Sequence, residues 1–214
     1  MIILNPKLYN NFFIIKNLRK HFFMIAKKLL ILDTSTKAQI IIFSNNNQIK
    51  TLQKKLFVKD YVASIVPLID QVLQANKITL KEIDALIVGV GPGSYTGTRV
   101  AVLTAKMLSL SLQIPLYQIS SLLLLTSGYD FHSFTPLIDA RNDAFFALNI
   151  HNNQIRLKES RYHSSFLETF SNHLLITPQT IKIALAPLFQ FMKKVPNPHL
   201  LVPNYLLSIQ SQKE

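Results

Sequence analysis

The chain has 214 residues, enough for one compact domain or two small fused lobes. Hydrophobic residues make up 49% and charged residues 16%, which excludes an intrinsically disordered chain and leaves apolar surface to spare for a partner. The formal net charge is +12 and there is no cysteine, so disulfides, thiolate metal sites and a cysteine nucleophile are excluded, while the basic balance suits tRNA, an acidic partner or simply a solvated lysine-rich face.

Residues 1–23 hold Lys7, Lys16, Arg19 and Lys20 and no acid, leaving +8 of the +12 to the rest of the chain. Their apolar stretch from Phe12 to Ile15 is stopped by Lys16, short of the roughly 7 to 15 residues of a secretory core. Met24 then opens a strand pattern, so residues 1–23 are expected to be an over-called extension with the true start at Met24. The longest apolar runs, such as Ala85 to Val90, fall far below the ~20 residues of a membrane-spanning helix. A cytoplasmic protein without a membrane role is expected.

From Lys28, the stretch KLLILDTSTKAQIIIFSNNNQIKTLQKKLFV predicts a three-stranded antiparallel meander: two β-rich runs around a Thr/Ser turn, then an Asn-rich turn and a third alternating run. After Asp60, Val62, Ile65, Val66, Ile69, Val72 and Leu73 recur at helical spacing, with Pro67 kinking the helix or marking its first turn. Thr79 and Glu82 have capping-box spacing before the buried strand Ala85 to Val90. Thr98 to Leu112 reads as a second long helix and Pro115 to Ser120 as a strand. A β-rich unit recurs after Ser133, with strands over Thr135 to Asp139 and Phe145 to Ile150 joined by Arg141-Asn142-Asp143, and a short third strand after Asn152-Asn153. His173 to Thr177 reads as one more strand, and Pro178 to Lys194 as a helix with proline at its first position and Pro187 inside. The tail, with Pro196, Pro198 and Pro203, reads as irregular. Strands alternating with helices after a meander predict an α/β fold with mixed sheets.

Of the five glycines, four are Gly89, Gly91, Gly93 and Gly97, so the stretch between a buried strand and a helix is a shaped loop. Its amides could hold an anion, or its glycines could serve tight packing alone. The dinucleotide fingerprint fails because Ser94 and Thr96 stand where glycine is needed, the P-loop because Thr98 and Arg99 stand where a lysine and a hydroxyl are needed, and the nucleophile elbow because Gly93 directly precedes Ser94. Asp33-Thr34-Ser35-Thr36 ends the first strand with a carboxylate and three hydroxyls, a weak phosphate or magnesium signal by itself. The six histidines include no pair three or four apart, so no metal site is expected, and Asp139 and Asp143 flank a hairpin turn. On the second long helix, Gly97, Ala101, Ala105 and Ser109 form a row of small residues, and Val100, Leu103, Met107 and Leu110 line a second apolar stripe. Two stripes mean burial on two sides, one against the sheet and the other against core or a subunit.

Three segments together resemble the TsaB family, also called YeaZ: Leu30-Ile-Leu-Asp-Thr-Ser-Thr36, Gly89-Val-Gly-Pro-Gly-Ser-Tyr-Thr-Gly-Thr-Arg99 and Ile138-Asp-Ala-Arg141. The resemblance covers Met24 to about Ile150 and then fades, leaving Pro203-Asn-Tyr-Leu206 near the end. It implies an actin-like ATPase (ASKHA) fold of two related lobes, the first over residues 24–120, the second shortened and running with the tail over 121–214. It also implies a non-catalytic dimerisation subunit that binds and activates the catalytic threonylcarbamoyltransferase paralogue, TsaD. That pair forms N6-threonylcarbamoyladenosine at position 37 of tRNAs reading codons that begin with adenine.

On the same resemblance, the two long helices pack against those of a homologue in a four-helix bundle, through Val62, Ile65, Ile69, Val72, Val100, Leu103 and Met107. Asp33, Thr34 and Ser35 with Gly91, Gly93, Ser94 and Gly97 correspond to a vestigial phosphate site, and Asp139 with Arg141 to a family motif. Ser35 stands where the kinase-type pattern has glycine, so its side chain crowds a phosphate, and the His-x-x-x-His pair of the catalytic paralogue is missing. No catalytic residue, metal or tightly bound cofactor is therefore expected on this chain. A nucleotide at the subunit junction, and a homodimer when the partner is absent, stay open. A TsaE-type ATPase would join the complex and tRNA would be met through it. The rivals are a catalytic ATP-dependent enzyme of the same fold using Asp33 and the Gly91 loop, and an independent RNA-binding module resting on charge alone.

Overall fold

The computed structural model describes residues 27–56, 60–130, 132–152, 154–206 and 209–210, so the expected extension over residues 1–23 lies outside the described residues. The meander is present as β1 (Lys28–Asp33), β2 (Ala38–Asn45) and β3 (Gln48–Leu56). β1 is apolar on both faces because it lies inside the sheet, antiparallel to β2 and parallel to β4 (Ala85–Gly89). β3 alternates because it is an edge strand with one wet face. Helix α1 (Tyr61–Ala75) is capped by Asp60, whose carboxylate accepts from the Ala63 amide over 2.9 Å. Pro67 sits in its second turn, not its first, on the exposed side. The capping box also forms: the Thr79 amide donates to Glu82 Oε2 over 2.8 Å.

Helix α2 (Tyr95–Leu112) begins three residues earlier than the sequence suggests. Gly97 belongs to its first turn, with its amide capped by the Ser94 hydroxyl at 3.2 Å, so the glycine run ends inside the helix. β5 (Leu116–Ile119) follows, then a short helix unmarked by any periodicity, α3 (Ser121–Leu125), all five of whose residues are buried.

The second sheet begins with β6 (Ser133–Asp139) and β7 (Ala144–His151), joined by Arg141, Asn142 and Asp143, all three in the left-handed region. β8 (Gln154–His163) is a full ten residues long. After α4 (Ser164–Leu167) comes β9 (His173–Leu175), parallel to β6.

The helix expected over Pro178 to Lys194 shrinks to α5 (Leu185–Phe191), with Pro187 in its first turn. Thr177 and Thr180 account for this, because the Thr180 hydroxyl takes the Thr177 amide over 2.8 Å and donates to the Leu175 carbonyl over 2.7 Å. Such local bonds compete with a helix. The Lys182 amide then bonds the Leu125 carbonyl, which holds the segment along α3.

Lys193–Lys194 form β10, antiparallel to β5, so the chain returns to the first sheet after building the second. β11 (Ile209–Gln210) runs parallel to β8. The sheet orders are β10-β5-β4-β1-β2-β3 and β11-β8-β7-β6-β9.

One core lies between the sheets, where Leu29, Ile31, Ile40 and Ile42 meet Phe134, Ile138, Leu148 and Ile150 along with α3 and α5. The other lies under α1 and α2 on the far face of the first sheet. Ile65, Ile69 and Val72 belong to that second core, so three of the seven residues expected at a partner interface face their own sheet. Gly97, Ala101, Ala105 and Ser109 also face inward, which is how α2 comes close to β4 and β1. Among the described residues no helix is long and apolar enough to cross a membrane.

Candidate functional site

A cleft of about 950 Å³ opens between the two sheets. Ser35, Thr36 and Lys37 of the β1–β2 turn and Gly93 to Thr96 at the start of α2 line one wall; Asp139 at the end of β6, Ala140 and Arg141 after it, and Thr177 to Gln179 line the other. The sequence-marked Ser35, Gly93, Ser94, Asp139 and Arg141 thus meet at one site, joined by Lys37 and Tyr61, which the sequence did not single out. Arg141 is aimed by its turn: its amide donates to Asp139 Oδ1 over 2.7 Å and its φ is 61°. Lys37, several hydroxyls and a helix N-terminus on one wall and Arg141 on the other favour an anion, with the Asp139 carboxylate opposing it.

Asp33, Thr34, Gly91 and Gly97 do not line this cleft. Asp33 is fully buried. Its Oδ1 accepts from the amide of Ser35 at 2.8 Å and from its hydroxyl at 2.7 Å, and its Oδ2 accepts from Ser121 Oγ at 2.6 Å. Ser121 Oγ itself accepts from the Gly91 amide at 3.0 Å. Burial raises the Asp33 pKa above the ordinary carboxylate value, against the lowering pull of the Ser121 and Ser35 hydrogen bonds. This carboxyl is a knot between β1, the glycine loop and α3, turned away from any ligand in the cleft. The side chain of Ser35 closes the knot.

The glycines serve that packing. A Cβ on Gly93 would fall 2.2 Å from the Ser35 carbonyl oxygen and one on Gly97 1.9 Å from that of Thr34, so the loop and the helix start rest directly on the β1–β2 turn. The Ser94 amide bonds the Ser35 carbonyl over 2.6 Å. Among the described residues, no group of three or more His, Asp or Glu side chains is arranged to hold a metal.

The second feature is the outer face of α1 and α2. Val62 is 68% exposed, Leu103 56% and Met107 61%, with Val66, Tyr95 and Leu110 also exposed and Val100 half-buried. Several large apolar side chains on two adjacent helices form a patch that a lone globular domain rarely presents. The outward stripe on α2 is the large-residue one, and the small-residue row is the one that packs inward.

Two mixed sheets around a cleft, with a strand-end turn and a glycine loop leading into a helix on one wall, make this a protein of the actin-like ASKHA fold. A family model described as TsaD, tRNA N6-adenosine threonylcarbamoyltransferase, matches residues 45–185. The tRNA threonylcarbamoyladenosine biosynthesis protein TsaB of Haemophilus influenzae is 31% identical over 156 residues, covering 71% of this chain and 62% of that one. TsaB of Buchnera aphidicola subsp. Schizaphis graminum is 43% identical over 67 residues, 31% of this chain and 32% of its own. The matched part thus spans less than two thirds of either relative's length. A crystal structure of an uncharacterized Pseudomonas aeruginosa protein with similarity to peptidase YEAZ superposes with a TM-score of 0.65 at 19% identity, covering 84% of this chain and 99% of that one. The chain belongs to this family, within its TsaB (YeaZ) group.

Proposed function

We propose that the chain is a non-catalytic scaffold subunit in the formation of tRNA threonylcarbamoyladenosine in the cytoplasm. It binds the catalytic TsaD-type paralogue through the exposed face of α1 and α2 and holds that partner in its active arrangement. The observation that carries this reading is the uncovered apolar face of Val62, Val66, Leu103 and Met107 on a chain with an otherwise complete core. Two helices per partner supply area of the order of the ~1,600 Å² that a standard interface buries.

The locked Asp33 supports the absence of a catalytic role for this chain. A nucleotide in the cleft would meet Lys37, Arg141 and hydroxyls beside the Asp139 carboxylate, while Asp33 is held out of reach, which favours weak binding unless the partner completes the site at the subunit junction. A TsaE-type ATPase and tRNA would then meet the assembled pair. The test is reconstituted threonylcarbamoyl transfer to tRNA by the catalytic paralogue and its accessory enzymes, with and without this chain. Transfer that depends on the chain supports the scaffold; an unchanged rate without it contradicts the scaffold.

A further inference from the structure

The segment that returns to the first sheet continues past it through one 3-10 turn (Pro198–Leu200) into a strap. Val195 and Leu201 are buried in the core beneath α1 and α2, while Leu200 is 75% exposed and Val202 66%. Leu200 ends that turn and points out, Leu201 turns in as an apolar anchor and Val202 points out again, with Pro203 biasing Val202 toward extended backbone. Lys106 of α2 donates to the carbonyls of His199 at 2.9 Å and Leu201 at 3.0 Å. Asn204 ties the far end: its amide donates to the Val90 carbonyl at 2.7 Å and its side chain to Glu159 Oε1 on β8 at 2.5 Å. Glu159 also accepts from Ser120, so both sheets hold the strap. The Tyr205 ring then lies 5.2 Å from that of Tyr95 at the first residue of α2.

Helical spacing puts Tyr95, Arg99 and Lys106 along one flank of the Leu103–Met107 stripe, and the half-buried Val100 and Leu108 along the other. The strap borders the stripe on the first flank. Exposed Leu200, Val202 and Tyr205 of the strap therefore flank the apolar stripe of α2, with Tyr95, Arg99 and Lys106 between them.

We propose that the strap is a second docking element for the catalytic homologue, extending the α1–α2 face through Leu200, Val202 and Tyr205. This rests on the docking role assigned above. Charge favours that partner over a second copy of this chain. Neither α2 nor residues 185–206 contain an acid, whereas Arg99, Lys106, Lys193 and Lys194 lie on them, in a chain of net charge +12. A copy seated on this flank would oppose cations with cations; a partner with an acidic rim would not.

Titration calorimetry at physiological salt with the catalytic paralogue from the same genome separates the alternatives, using wild type, the pair Leu200→Ser with Val202→Ser, and Leu103→Asp. We expect the strap pair to weaken binding at least fivefold with an unchanged melting temperature, and Leu103→Asp to abolish binding. Wild-type affinity in the strap pair, with binding lost in Leu103→Asp, overturns the strap and leaves the helix face standing. Wild-type affinity in Leu103→Asp, or no binding by the wild type, overturns both. A strap pair that alters only self-association in sedimentation also overturns the strap, because the occupant is then a second copy.

Discussion

A Cβ on Gly89 would lie 1.8 Å from Oδ2 of Asp33. The two residues follow Val88 and Leu32, which pair across the parallel β4 and β1, so the acid at the end of one strand requires glycine at the end of the other. Ser121 Oγ would be 2.8 Å from the same carbon, so neither neighbour has room to give. The first glycine of the loop therefore houses a buried carboxyl.

Gly89→Ala should destabilise the fold by about 3 kcal/mol or more, at or beyond the upper end of ordinary overpacking. Asp33→Ala should cost about 1–3 kcal/mol alone, because it strands the Ser35 and Ser121 donors. Combined with Gly89→Ala it should give back part of the loss, since the clash is with the Asp33 carboxyl. Urea denaturation of the four chains in a double-mutant cycle reads this coupling, and simple additivity would contradict it.

Glu159 gives the fold a pH dependence. Burial pushes its carboxyl up to about 7, against the lowering pull of Ser120, Asn204 and the Lys193 charge, even though part of the side chain still touches solvent. A folded-state value above the unfolded one means the stabilising form is the neutral acid. Its contribution is complete below the ordinary glutamate value of 4.5 and is lost as pH rises through about 7. We expect stability to fall by about 1–3 kcal/mol from pH 5 to pH 8, and Glu159→Gln to flatten that slope, as measured by urea denaturation across the range.

The two sides of the helix pair should separate cleanly. Ile69→Ala, on the inner face, should cost about 2–5 kcal/mol of stability. Leu103→Ala and Met107→Ala, on the outer face, should each stay within about 0.5 kcal/mol of wild type while weakening the partner's affinity severalfold. Thermal denaturation paired with titration calorimetry checks both halves, and a large stability loss in Leu103→Ala would contradict the assignment of faces.

Much of the fold was legible because its signals are local. The meander shows as two β-rich apolar runs and one alternating run, the capping box as Thr79 and Glu82, and the hairpin turn as Arg141-Asn142-Asp143. Periodicity showed that both long helices are apolar but not which stripe the sheet covers, so buried Ile65, Ile69 and Val72 were grouped with exposed Val62 and Leu103. The helix expected over Pro178 to Lys194 failed where two threonine side chains rewired the backbone.

The site was half legible. Ser35, Gly93, Ser94, Asp139 and Arg141 were marked by composition and by likeness to a family, and they do meet. The partners that decide what the site can do are distant in sequence: Ser121 lies 88 residues from Asp33, and Ser120 lies 39 from Glu159. No local pattern announces such pairs.

Transfer of the threonylcarbamoyl group to tRNA, reconstituted with the catalytic paralogue and either Asp33→Asn or Leu103→Asp in this chain, tests the scaffold role most directly. We expect Asp33→Asn to support a rate within about twofold of wild type, since a structural amide keeps most of the knot, and Leu103→Asp to support none beyond the background without the chain. A rate lost by 100-fold or more in Asp33→Asn and retained in Leu103→Asp would mean that the strand-end carboxylate does chemistry and the helix face docks nothing.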